Sequence, residues 1–355
     1  MSTMIRALLV GCGGISRAWL DAIKARGDVN MVAYVDLIVE AARQRAAEYG
    51  DDNAMIGADL AAALQATRPQ VVFNCTVPQA HAATTITALE SGCHVLCEKP
   101  LADSIENAAQ MIETARRAGR TLAIIQNRRY DPNIRRLRKF LDSGALGRIT
   151  TVNCDFYIGA HFGGFRDHMQ HVLLLDMAIH TFDAARLITG RDPASVYCHE
   201  WNPPGSWYDH DASAVAIFEM QSAGAPAPDV VYTYRGSWCA EGLNTAWECD
   251  WRIIGEKGSV TWNGAAGFQA QVAVESGGFN SKLQDVPVPE WDAPQMLCGH
   301  AGVIEAFIHA VQTRTEPETT GADNIKSLTM VLGAIESAET GQKIQINEFA
   351  DKEKK

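Results

Sequence analysis

A chain of 355 residues, nearly half of them apolar, exceeds the usual size of one compact domain and can bury more than one core, so two domains are expected. A formal charge of −11 without any long basic run excludes a broad nucleic-acid or anionic-membrane surface and leaves a small molecule as the expected partner. The nine cysteines lack the paired spacings of a zinc site or a disulfide framework and read as buried thiols of a reducing compartment. The apolar run near the start is too short for a secretory signal, and no stretch reaches the roughly 20 apolar residues that span a bilayer, so a cytoplasmic protein is expected.

In chain order, "IRALLVG" reads as a strand and is followed by a helix from about Ile15. "MVAYVD" with "VEAARQRAAEYG", "VVFNCTV" with "AHAATTITALESG" and "HVLCEKP" with "SIENAAQMIETARRAG" repeat the alternation, and "TLAIIQN" closes it. Continuous apolar strands separated by amphipathic helices imply a parallel sheet covered on both faces, a doubly wound α/β domain over residues 1–126. Residues 127–355 read as a second, α+β domain with a large, open, mainly antiparallel sheet. It opens with the helix "NIRRLRKFLDSGALG" and the strand "ITTVNCDFYIG". A His-rich loop and the helix "VLLLDMAIHTFDAARLITG" follow. Then come the strands "SVYCHEW", "SAVAIFEM" and "VVYTYRGSW" and a hairpin turning at Gly-Glu-Lys-Gly. Two helices, "GVIEAFIHAVQT" and "NIKSLTMVLGAIESAETG", precede a short "KIQI", and the tail "DKEKK" is expected as a solvated, frayed end.

"LLVGCGGIS" places Gly11, Gly13 and Ser16 at the spacing of a G-x-G-x-x-G turn between a strand and a helix. Gly11 permits the tight turn, and Gly13 lets a pyrophosphate approach the backbone. Gly14 and Ile15 complete the loop before the helix offers its free N–H groups. Asp36, at the end of "MVAYVD", stands where a carboxylate binds ribose hydroxyls and repels a 2′-phosphate, so NAD is expected rather than NADP. Arg17 is the one cation near that turn which argues the other way.

Glu98, Lys99 and Pro100 end a strand with two opposite charges and a residue that donates no backbone hydrogen bond. A lysine can orient a substrate hydroxyl and a nicotinamide, but near an apolar face it needs a counter-ion such as Glu98. Pro100 fixes the turn, and a cis bond there is one way to aim Lys99 into the crevice at the strands' carboxyl ends. Asp176, His180 and Asp183 follow at i, i+4 and i+7, one stripe of a helix, and a histidine beside a carboxylate is suited to take a hydroxyl proton as hydride leaves the same carbon.

Taken together, Gly11-x-Gly13, "TVP" at Thr76–Pro78 with His81, Glu98-Lys99-Pro100, "NRRYDP" from Asn127 and Asp176-x-x-x-His180 resemble the family of glucose-fructose oxidoreductase and inositol dehydrogenase, Gfo/Idh/MocA, over nearly the whole chain. The resemblance implies that Lys99 touches both substrate and nicotinamide, that His180 is the general acid/base, and that Asp176 orients the substrate hydroxyl. It also implies that Thr76, Pro78, His81, Glu98 and Asn127 line the nicotinamide half of the cofactor site. Ser16 stands where Gly or Ala is frequent, and Ala178 stands where Gly is common. A homodimer or homotetramer, associating through the open sheet, is implied as well.

Before the Asp176 helix, "GAHFGGFRDHMQH" carries His161, Arg166, Asp167, His168 and His171 among glycines. It reads either as a solvated loop or as a pliable wall that recognises hydroxyls or an anionic group, with Arg129 and Arg166 as fork-shaped donors. Trp201, Trp207, Tyr208, Trp238 and Trp247 are candidates for sugar stacking or for sheet packing. The histidines match no metal-ligand spacing, and no metal is expected. The leading reading is hydride transfer between a secondary hydroxyl of a sugar, sugar derivative or cyclitol and NAD. The alternative is an NAD-dependent glycoside hydrolase, with an anionic glycoside as a candidate substrate, in which transient oxidation at C3 acidifies the C2 proton, elimination expels the aglycone, water adds and the hydride returns to C3. A non-catalytic sensor on the same fold is the third, opposed by the joint presence of Lys99, Asp176 and His180.

Overall fold

The computed structural model describes residues 4–275, 277, 279–293 and 295–352, and the chain divides into two compact units. The first unit runs through Tyr130 and also takes in Met296–Leu328; the second comprises Asp131–Gln295 and Thr329–Lys352. The chain first crosses between the units at 130/131, against the expected division at 126/127, and crosses again at 295/296 and 328/329. The helix Gly299–Thr313 belongs with the first unit, because its Val303, Ile304, Phe307 and Ile308 are buried in that unit's core, with Phe307 edge-on to Phe73 at 6.4 Å. A cut in sequence cannot anticipate an amphipathic helix that returns to an earlier core.

In the first unit, β1 (Ile5–Val10), β2 (Val29–Val35), β3 (Met55–Gly57), β4 (Val71–Asn74), β5 (His94–Cys97) and β6 (Leu122–Ile124) form one parallel sheet in the order β3-β2-β1-β4-β5-β6. They alternate with α1 (Ser16–Arg26), α2 (Val39–Tyr49), α3 (Leu60–Thr67), α4 (Pro78–Glu90) and α5 (Ile105–Ala118). The strands are mainly apolar because helices cover both faces; β4 is buried at every residue. The order reverses beside β1, the switch point where the carboxyl ends of parallel strands leave a crevice. The β3 and α3 pair is absent from the sequence reading, since three residues of strand are too few to show a period.

The second unit is built on β7 (Ile149–Tyr157), β8 (Asp192–Trp201), β9 (Ser213–Gln221), β10 (Val230–Ser237), β11 (Asp250–Gly255), β12 (Gly258–Trp262), β13 (Phe268–Glu275), β14 (Lys282–Asp285) and β15 (Ile344–Gln345). Their order is β14-β13-β12-β11-β7-β10-β9-β8-β15, antiparallel throughout except for the β7–β10 pair. Burial alternates along β8 to β12, so one face packs inward, where Phe182 meets Phe218 at 4.9 Å and Tyr234 at 5.3 Å. The other face leaves Tyr197, Ile217, Val231 and Ile254 exposed. Strands β13 and β14 are absent from the sequence reading, and the chain after β15 turns into a short helix, Ile346–Lys352. Residues 353–355 of the tail expected to fray lie outside the described residues.

The helix that carries Asp176 differs from the straight α-helix expected: Leu173–Ala178 is a π turn, and α-helix resumes over Ile179–Thr189. A π turn widens the local period beyond the 3.6 residues that the i, i+4 spacing of Asp176 and His180 assumes.

Candidate active site

Gly11 leaves β1 with φ +87°, and a Cβ there would sit 2.5 Å from the carbonyl carbon and oxygen of Cys75, so no other residue fits. Gly13 and Gly14 have nothing within 4 Å of an added Cβ, an open backbone that a pyrophosphate could approach. Ser16, fully buried at the start of α1, donates from Oγ to the Gly13 carbonyl at 2.6 Å, so the departure from glycine at the third motif position pins the loop. Asp36 accepts from the Cys12 N–H at 2.7 Å and from the Ile38 N–H at 2.8 Å, which sets its carboxylate beside the loop. Arg17 is turned to the surface, paired with Glu48 at 2.8 Å. These groups fit a bound NAD.

Arg45 escaped the sequence reading. It is buried on α2 and donates to the carbonyls of Cys12 and Gly13 at 3.2 and 3.1 Å, bracing the glycine loop from beneath. Its signal is its position: with Ala42 and Ala46 it lies on the helix's buried face.

The turns after β4 and β5 are tied to each other. The Asn74 side chain accepts from the Thr76 N–H and Oγ and donates to the Thr85 hydroxyl and the His81 carbonyl. The His81 ring, fully buried, stands between the carbonyls of Pro100 at 2.8 Å and Thr76 at 3.0 Å, and burial lowers its pKa, favouring a neutral ring that donates to one of them. Glu98 is buried, accepts from the Trp19 indole at 3.0 Å and from the Lys99 N–H at 2.8 Å, and lies 3.9 Å from His300. Burial alone would raise its pKa, but His300, the Lys99 charge and the indole donor outweigh it, and the pKa falls below the usual carboxylate value. The Lys99–Pro100 bond is cis, and Lys99 is half-buried. Pro78 opens α4, while Ile15 is exposed just before α1. Asn127 follows β6, with its side-chain oxygen buried and without a hydrogen-bond partner among the described residues. Trp19 and His300 were also missed; neither sits in a recognisable motif.

In the second unit Asp176 is gripped by Arg166 through two bonds, 2.7 and 3.3 Å, and the Arg166 guanidinium lies over the rings of Phe162 and Phe165 at 5.0 and 4.7 Å. His180 is half-buried on the segment that follows the π turn. Asp183 is not part of an open stripe: it is buried and faces Arg186 at 3.6 Å. His161 stacks on Trp207 at 3.7 Å and bonds Glu241. His168 pairs with Asp209 at 2.5 Å, which raises its pKa. Tyr208 and Trp238 are buried, and Trp207 and Tyr208 both donate to the Ala160 carbonyl, so these three pack the sheet. Trp247 is half exposed and neighbours Phe162 at 6.4 Å.

One expected substrate contact is corrected. Arg129 is buried and committed within the first unit to Asp323 at 2.7 Å and Glu318 at 3.9 Å, because a guanidinium with so little solvent must keep its counter-ions.

Residues 5–126 match the oxidoreductase family with an NAD-binding Rossmann fold, GFO_IDH_MocA, and residues 134–261 match the GFO/IDH/MocA C-terminal domain. The chain belongs to the Gfo/Idh/MocA family. It is 26% identical to a D-glucoside 3-dehydrogenase of Escherichia coli across 97% of this chain and 98% of that protein. It is likewise 26% identical to an inositol 2-dehydrogenase of Rhizobium meliloti across 96% of this chain and 99% of that protein. An oxidoreductase from Agrobacterium radiobacter, solved with NAD+, L-tartaric acid and magnesium, superposes with a TM-score of 0.83 at 22% identity over 98% of this chain and 100% of its own, a likeness of fold. As a member of this family the chain is an NAD-binding oxidoreductase with a six-stranded Rossmann sheet and a nine-stranded, mostly antiparallel one.

Proposed function

We propose that this Gfo/Idh/MocA protein is an NAD-dependent dehydrogenase acting on a secondary hydroxyl of a cyclic sugar, sugar derivative or cyclitol. NAD supplies the acceptor for the hydride. Lys99 donates a hydrogen bond to the substrate oxygen and stabilises the charge that grows there, and His180 takes the hydroxyl proton. Asp176, fixed in orientation by Arg166, accepts from a neighbouring hydroxyl. Thr76, Pro78, His81, Glu98 and Asn127 hold the nicotinamide half of the cofactor, and the Gly11–Ile15 loop with Asp36 holds the pyrophosphate and ribose.

The observation that carries this reading is the buried carboxylate of Glu98 bonded to the N–H of the next residue, which makes Lys99 leave β5 from a fixed, negatively charged turn. The names of the two relatives, a glucoside and an inositol dehydrogenase, support a cyclic polyol. Since the Arg166 fork is spent on Asp176, a neutral polyol suits the second unit better than an anionic one, with Trp247 as a stacking face and His161 and His168 as outer contacts. Action in the cytoplasm as a homodimer or homotetramer belongs to the same proposal, supported by the free thiols and by the exposed Tyr197 and Ile217, paired across β8 and β9.

The test is incubation with NAD and a panel of free sugars, cyclitols and nitrophenyl glycosides. NADH growth with a free polyol is expected; phenol release at constant NAD would instead favour the glycoside hydrolase, and neither signal would sink both. NAD should raise the melting temperature more than NADP does, and an equal response would remove the role given to Asp36.

A further inference from the structure

A cavity of about 900 Å³ opens in the first unit at the end of the sheet opposite the glycine loop: Gln70, His94 and Thr121 on its wall stand at the entrances of β4, β5 and β6. The cofactor groups named above all lie at or beyond the other ends of the strands, so this volume is not the nucleotide crevice. Its wall is cationic in a chain whose net charge is −11. Arg120 and Arg314 line it, both exposed, and among the described residues neither is in an ion pair. Each follows a helix, Ile105–Ala118 or Gly299–Thr313, whose negative pole favours a guanidinium there. Arg116 is paired to Glu113 on its own helix, and among the described residues Glu316 is the one carboxylate on the wall.

His94 adds a neutral donor. Its Nδ1 accepts the Thr121 N–H at 3.0 Å, so the proton of the uncharged ring sits on Nε2. Burial, then the charge of Arg120, lowers its pKa and keeps the ring uncharged at neutral pH. The first turn of the helix Gly321–Thr340 also borders the cavity through Gly321 and Ala322, ahead of the Asp323 and Asn324 N–H groups that are bonded to Thr320. Two guanidinium groups outside any ion pair among the described residues, an imidazole N–H and a helix start surround a volume whose wall carries a single carboxylate, Glu316.

We infer that this cavity binds a small multivalent anion of the carboxylate or phosphate class, clamped between Arg120 and Arg314 with the imidazole of His94 as a further donor. The experiment is isothermal titration of the full chain, saturated with NAD so that the glycine loop is occupied, with citrate and separately with inorganic phosphate at constant ionic strength. Saturable binding of either to one site is expected, and the stronger of the two identifies the class. In the R120Q/R314G variant the affinity should fall at least tenfold. Residue 314 has φ +59°, where glycine is at ease, so R314G alone should fold at least as well as the parent and still weaken binding severalfold. Absence of saturation by both anions, or equal affinity in parent and variants, would overturn the proposal. The dehydrogenase assay is separate: sugar oxidation unchanged in R120Q/R314G leaves the anion site standing or falling on the titration alone.

Discussion

The two units hold their polar groups in different ways. In the first, Asn74, His81, Glu98 and Trp19 are buried and joined by bonds between turns that follow successive parallel strands, so their positions are set by the sheet itself. In the second, Asp176 is held by the long side chain of Arg166, ten residues earlier, and His161 and His168 are exposed and answer to Glu241 and Asp209, forty or more residues away. A site built on strand ends is rigid and can hold a constant cofactor, whereas one built on a loop and long side chains can be re-shaped for different substrates.

The sharpest way to break that comparison is to remove one group from each side. Lys99→Ala should lower turnover by about 10³-fold, and His180→Asn by a similar factor, while the melting-temperature rise with NAD persists in both. If steady-state assays found His180→Asn near parental, the chemistry would belong to the first unit alone and the second would serve recognition only.

Arg129→Met probes the other kind of buried charge. With its partners Asp323 and Glu318 each about one-third exposed, the loss should be about 2 to 3 kcal/mol in chemical denaturation, at or below the low end for broken buried pairs, with KM of the folded protein unchanged. A raised KM at unaltered stability would restore Arg129 to the substrate site.

Glu98→Gln sharpens the account of the turn. The folded pKa of Glu98 lies below its unfolded value, so the ionised carboxylate contributes stability that is complete above the ordinary value near 4.3 and is lost as pH falls through the folded value. The variant should therefore be about 1 to 2 kcal/mol less stable than the parent near pH 7, and the gap should close in acid; a constant gap from pH 7 to pH 3 would mean that charge plays no part.

How much of this was legible in sequence follows from the same contrast. Gly11, Asp36, Thr76 and Glu98 are readable because each sits at a strand end, where a local rule of backbone or charge demands that residue type. Arg45, Trp19 and His300 were not, since each reaches the site from a helix face and only tertiary packing decides which way a helix turns. Arg129 misled because an arginine next to a motif looks available until its counter-ions, nearly two hundred residues later, are seen. The π turn was hidden for a related reason: Leu173–Leu175 is apolar whichever period the helix adopts, so hydrophobic pattern cannot tell the two apart.

The smallest effect should come from His171, which precedes the π turn at φ +50° and accepts the Leu175 N–H through its carbonyl. Its ring bonds the buried Glu200 at 2.7 Å and faces Glu339 at 3.5 Å, with Asp211 also near, and the Glu200 bond raises its pKa. A raised folded value means that the imidazolium contributes stability which is complete below the unfolded value near 6.5 and fades as pH rises through the folded one. His171→Gln should thus lower the melting temperature by a few degrees at pH 6, the equivalent of roughly 1 kcal/mol, and by less at pH 8.5. Because the ring anchors the start of the segment that presents Asp176, the same variant should also shift KM more than turnover. A variant with the larger stability loss at pH 8.5 would show that the neutral ring is the form the fold uses, and that the second unit holds its site by shape and not by charge.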